Sequence, residues 1–117
     1  MEDLTLSVHD LELRRVVHHA LSTWASGIHG PEARALLAAD TKPALLAALR
    51  DVQSFAQSHG ERTRYAQYRA CATHAAHAAL EAITLLNAPL ATYRTYEEFT
   101  VRTHRKTVAL DRGVRRY

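Results

Sequence analysis

Apolar positions recur at intervals of three and four along most of this chain. Leu13, Val16, Val17, Ala20, Leu21, Trp24 and Ile28 form the first such run. That spacing puts them on one face of an α-helix. Ser7 precedes Asp10 by three residues, so the serine can cap the first turn while the carboxylate meets the positive end of the helix dipole. Gly27, Gly30 and Pro31 are expected to end this helix, and Pro31 to open the next at its first turn. A short helix is expected over 31–39, with Leu36 and Leu37 as its apolar contacts.

Asp40-Thr41-Lys42-Pro43 is a second cap-and-proline signal. The helix after it carries Leu45, Leu46, Leu49, Val52, Phe55 and Ala56, and Gly60 is expected just past its C-cap. The longest helix is expected from about Glu61 to Leu86. Its stripe is Tyr65, Tyr68, Ala72, Ala75, Ala76, Ala79, Ile83 and Leu86. Nearly every core position between Ala70 and Ala82 is alanine, which has the best helix propensity and lets a neighbouring helix come close. This pattern predicts a central helix contacted on more than one side.

Asn87-Ala88-Pro89 interrupts that helix. Thr95 and Glu98 form a capping box, and Gly113 would stop a helix running from about Tyr96 to Asp111. By propensity alone Phe99-Thr100-Val101-Arg102-Thr103 also reads as a strand. With no second strong strand to pair with, helix is the expectation. The pattern predicts an all-α fold, a compact helical bundle of four long helices and one short one, in a single domain over residues 1–117.

Composition sharpens this picture. The hydrophobic share of 47% includes 21 alanines, so the core is built from few bulky side chains. Four Gly and three Pro argue against a loop-rich chain. A lone cysteine, Cys71, excludes an internal disulfide framework. The start, Met1-Glu2-Asp3-Leu4-Thr5, lacks the basic and apolar regions of a secretory signal. The densest apolar stretch, Ala75 to Leu86, is far short of the ~20 residues that span a bilayer. No membrane association is expected, and the location expected is cytoplasmic.

Charge is unevenly spread. The net charge of +3 combines −2 over residues 1–60 with +5 over residues 61–117. Arg102, Arg105, Lys106, Arg112, Arg115 and Arg116 stand near the C-terminus against Asp111. On a helix they would present cations to an acidic partner, nucleic acid included. The dipole of a helix C-terminus favours the same residues without any partner.

Three further sets of side chains are candidates. Cys71, His74, His77 and Glu81 carry the thiolate, imidazole and carboxylate groups that bind transition metals. At about 100° per residue, 71, 74 and 81 share a face and 77 lies on its shoulder. His18 and Glu12 on the first helix would complete a four-ligand site between helices. Tyr65 with Tyr68, and Tyr93 with Tyr96, form two i, i+3 pairs suited to an interface. Catalytic motifs are absent. The glycines are isolated, and there is neither a Gly-x-Ser-x-Gly elbow nor a His-Glu-x-x-His pair. No cofactor is implied.

One resemblance bears on function. The stretch from Asp40-Thr41-Lys42-Pro43 through Leu45, Leu46, Leu49, Arg50 and Val52 to Phe55-Ala56 resembles the helical immunity-like proteins of bacterial polymorphic toxin systems. Arg69-Ala70-Cys71-Ala72-Thr73-His74-Ala75-Ala76-His77-Ala78-Ala79 is similar to their Ala/His-rich helix, and Leu21-Ser22-Thr23-Trp24-Ala25 to its upstream start. The likeness spans residues 21–82, and the Tyr- and Thr-rich C-terminus departs from it. It implies a compact helical protein that neutralises a partner by binding it, with no catalytic residues. The expected function is therefore non-catalytic protein–protein interaction. Alternatives are a nucleic-acid binder using the basic C-terminus and a metal-binding bundle. A homodimer is a further expectation.

Overall fold

Side-chain caps mark three of the five helix starts. The computed structural model describes residues 4–24, 29–88 and 92–115, the last three as backbone only. Five helices lie among them: α1 (Val8–Leu21), α2 (Pro31–Ala38), α3 (Lys42–Arg62), α4 (Ala66–Asn87) and α5 (Tyr93–Arg115). At α1, the Asp10 amide donates to Ser7 Oγ (3.1 Å) and the Ser7 amide donates to Asp10 Oδ2 (3.0 Å). At α3, the Ala44 amide donates to Thr41 Oγ1 (3.3 Å), and Pro43 lies in the first turn. Pro31 opens α2 behind Gly30. The fold is the all-α bundle that the periodicity predicts. Among the described residues extended pairing is confined to one bridge, Thr5 with Thr41.

Five boundaries differ from expectation, most of them for a local reason. Helix α1 stops at Leu21 rather than near Gly27, because Ser22 Oγ and Thr23 Oγ1 donate to the carbonyls of His19 (2.6 Å) and Ala20 (2.9 Å). These bonds satisfy carbonyls that a continuing helix would have used. Trp24 is still core at 4% exposure, its ring 5.6 Å from that of His59. Gly27 and Ile28 lie outside the described residues. On α2, Leu36 is buried but Leu37 is half exposed, and Ala33 is the second contact.

Gly60 does not end α3. It sits inside the helix without a positive φ, and the chain turns at residues 63–65 instead. Tyr65 therefore becomes the exposed N-cap of α4, not part of its stripe. Helix α5 starts at Tyr93, three residues early, where Thr92 and Thr95 cap each other's amides (3.4 and 2.9 Å). It continues through Gly113 to Arg115. The β-branched run is helical, with Phe99 and Thr103 turned inward.

Helix α4 is the centre of the bundle. It packs against α1, α3 and α5, while α2 packs against α3 and α1. Its buried residues are Cys71, Ala72, His74, Ala75, Ala76, Ala78, Ala79 and Ala82. Bulky side chains come from the neighbours: Leu13, Val16 and Val17 of α1, Leu45, Leu49 and Val52 of α3, and Phe99 of α5. Helices α3 and α4 come into close contact where Gly60 meets Ala72. A Cβ at Gly60 would sit 3.4 Å from Ala72 Cβ, which is ordinary contact.

That contact has opposite consequences for two substitutions. Gly60→Ala is expected to stabilise the protein by about 0.5 kcal/mol, through helix propensity without a clash. Ala72→Leu, which drives bulk into the same contact, is expected to cost about 1–3 kcal/mol. Urea midpoints at constant m-value measure both.

Candidate functional site

The chemistry of α4 lies where its alanines give way to polar side chains. His74 is 6% exposed and faces α5, where Nε2 lies 2.8 Å from Thr107 Oγ1. The Thr107 hydroxyl donates its own proton to the Thr103 carbonyl (2.9 Å). With that proton committed, the hydroxyl accepts, so His74 Nε2 carries the hydrogen and donates. Burial pushes the His74 imidazole down to about 4, helped by the charges of Lys106 and His77 and opposed by the Thr103 carbonyl. His74 is thus a neutral peg joining α4 to α5, not a base open to solvent.

Cys71 points elsewhere. Its side chain is fully buried, and it bonds the Thr23 hydroxyl beyond the end of α1. Burial pushes the thiol up, with the Thr23 bond working against it. His18 is half-buried on α1, where burial lowers its imidazole. Glu12 is held by Arg15 (2.6 Å), which keeps its carboxyl below the usual range. None of these three lines the cavity that His74, His77 and Glu81 share.

His74, His77 and Glu81 do line one cavity, of about 160 Å³, between α4 and α5. Across it stand Thr103, Arg102 and Lys106, and Arg102 forms an ion pair with Glu81. The expected metal site is therefore corrected. Among the described residues no three His, Cys, Asp or Glu side chains converge as metal ligands. The physical reason is charge: α5 supplies cations to the seam where a metal ion would need further donors.

The basic residues of α5 divide. Arg102 is spent on Glu81, and Arg94 on Glu98 (3.0 Å). Arg105, Lys106 and Arg112 are exposed and form no ion pair among the described residues. Arg115 belongs to α5 through its backbone only, and Arg116 lies outside the described residues.

The tyrosines form two pairs rather than one interface. Tyr65 and Tyr68 meet edge to face, with centroids 5.7 Å apart, at the start of α4. Tyr93 and Tyr96 flank His9 at 4.9 and 5.6 Å, at the start of α5. Since α4 and α5 run antiparallel, the two pairs sit at opposite ends of the bundle, about 30 Å apart along a 22-residue helix. Tyr93 and Tyr65 are mostly exposed. Tyr96 is half-buried, and burial together with its bond to the Asp10 carboxylate raises its hydroxyl.

A second cavity has no counterpart in the sequence reading. It is a groove of about 510 Å³ on the outer side of the α3–α4 hairpin. Gly60 and Ala76 form its floor. Gln53, Gln57, Glu61, Arg69, Thr73 and His77 line it, together with Leu80, which is 47% exposed. The signal that could have found it is the run of small residues itself. A glycine opposite alanines brings two helices together and leaves the space above them empty.

The peg has a pH signature. An imidazole near 6.5 in the unfolded chain and about 4 in the fold lets the unfolded state take up a proton first. Stability is expected to fall as pH drops from 6.5 to about 4, by about 3 kcal/mol from this group. His74→Gln should remove that share of the dependence while carboxylate titration persists. Urea unfolding of both proteins across this pH range measures the difference.

No family model, curated protein or solved structure matches the chain.

Proposed function

We propose that the protein is a non-catalytic, cytoplasmic binding module that grips a segment of a protein partner in the groove between α3 and α4. The groove itself carries this reading. It faces Gln53 and Gln57 of α3 and Thr73 and His77 of α4, side chains able to give and accept hydrogen bonds along a peptide backbone. Its small floor and the half-exposed Leu80 offer an apolar seat. It follows about 15 Å of helix, the length of a four- or five-residue extended segment. His74 is committed to Thr107 and Cys71 is buried, so neither of these two groups serves the groove as an acid, base or nucleophile. Neutralisation of a partner by occupancy, as the likeness to immunity-like proteins implies, fits such a groove.

Thr73 is exposed on the groove wall, so Thr73→Trp fills the groove without entering the core. The melting temperature is expected to stay within about 2 °C, and affinity for the partner to fall at least tenfold, of order 1.4 kcal/mol. A photo-crosslinker at position 57 should capture the same partner, and one at Arg34 on α2 should not. Equal capture from both positions, or unchanged binding by Thr73→Trp, sinks the reading.

A second reading belongs to α5. Arg105, Lys106 and Arg112, exposed and without an ion pair among the described residues, favour a polyanion such as nucleic acid. Three phosphate contacts would give a slope near −3 for the logarithm of the binding constant against that of salt. A flat titration, or no binding at low salt, removes this reading.

A further inference from the structure

The seam between α4 and α5 is laid out in rungs. Glu81 faces Arg102, and the two form an ion pair. One turn further, four residues back on α4 and four onward on α5, His77 faces Lys106. Both line the same 160 Å³ cavity, and the charge of each bears on His74 beneath them. The first rung is matched, acid against base. The second sets a hydrogen-bond donor and a cation side by side, with the nearest carboxylate already committed to Arg102.

The geometry points to an oxyanion site in this seam, built by His77, Lys106 and Arg102, that takes a phosphate group. A tetrahedral oxyanion offers oxygens in three directions, to the His77 N–H, the Lys106 ammonium and the edge of Arg102 not used by Glu81. The Thr103 side chain completes the lining. A cavity of 160 Å³ is below the roughly 300 Å³ at which drug-sized ligand pockets begin. It therefore admits a group and not a whole nucleotide. The ligand is inorganic phosphate, or a phosphate monoester carried by a larger molecule. The residues whose types pointed to a metal cation thus form, once α5 is in place, a site of the opposite preference. The inference does not rest on the reading of the α3–α4 groove, with which this site shares His77.

The test is a titration of the full chain with inorganic phosphate, at constant ionic strength held with chloride, followed by amide NMR. Saturable shifts are expected at Ala78 and Thr103. Lys106→Gln is expected to weaken binding about tenfold, the loss of one charge-assisted hydrogen bond. Glu81→Gln, which removes the only carboxylate of the cavity and releases Arg102, is expected to tighten it about threefold. Arg112→Gln, further along α5, should leave it unchanged within about twofold. All three substituted side chains are exposed, and circular dichroism checks that each variant stays folded. Phenyl phosphate binding as well as phosphate assigns a monoester on a larger partner; phosphate alone assigns the free ion. Shifts that grow linearly without saturation overturn the site. So do equal losses in Lys106→Gln and Arg112→Gln, or zinc in place of phosphate saturating the same amides.

Discussion

Helix α4 has three helical neighbours, and room for them exists only because its own side chains are small. A helix covered on one face can carry Leu and Phe toward the core. One covered by α1, α3 and α5 cannot, since bulk on several sides would hold the neighbours apart. The run from Ala72 to Ala82 satisfies this constraint. Each alanine adds little buried apolar area of its own. The hydrophobic stabilisation comes from the leucines, valines and Phe99 that the neighbours lay on the alanine surface. Helix α4 therefore acts less as a source of core than as the template on which a core is assembled.

The two long seams made by α4 differ because their second helices differ. Helix α3 brings Leu45, Leu49, Val52 and Ala56, and its seam is apolar throughout its depth. Helix α5 brings Thr103 and Thr107 to its buried face and charged side chains to the rim. A buried threonine in a helix is tolerable when its hydroxyl bonds the carbonyl one turn back, as Thr107 does to Thr103. The lone pair left on that oxygen is what accepts His74, so the polar seam is satisfied in sequence, one bond conditioning the next. Opposite His74, a valine at 107 would pack but leave the buried imidazole donor unpaired, at a cost that usually exceeds the worth of the bond itself.

Local chemistry was legible in the sequence, and contacts across the bundle were not. Ser7 with Asp10 and Thr41 with Pro43 act within one turn, and each begins a helix where it was read. Gly60 was misread because the usual preference for glycine beyond a C-cap rests on positive φ, which Gly60 does not adopt. Its use is to let Ala72 approach, and Ala72 lies across the hairpin. The end of α1 depended on which hydroxyls reached back to the helix, a competition that Ser22 and Thr23 settle before Gly27 is reached. On α4, helical angle alone placed His74, His77 and Glu81 toward one cavity. It could not supply the sign of what faces them. Arg102 lies 21 residues from Glu81, and Thr107 lies 33 from His74; only the docking of α5 brings them there.

His77 is where the two cavities of α4 come closest in chemistry. It walls the groove toward α3 and also the seam toward α5. Its ring has two nitrogens, and in the neutral form one donates while the other accepts. A group that takes the donor in the seam fixes the tautomer, leaving an acceptor toward the groove. A groove occupant that takes the donor leaves the seam an acceptor, which repels an oxyanion. Its neighbours in the two linings, Ala76 and Ala78, are alanines, and His77 is the side chain that both linings share. Were both cavities occupied as proposed, their occupants would compete for a single imidazole proton, and coupling of this kind is reciprocal. The alanine template that lets three helices meet leaves one side chain exposed between two of its seams, and that side chain is the one able to choose between them.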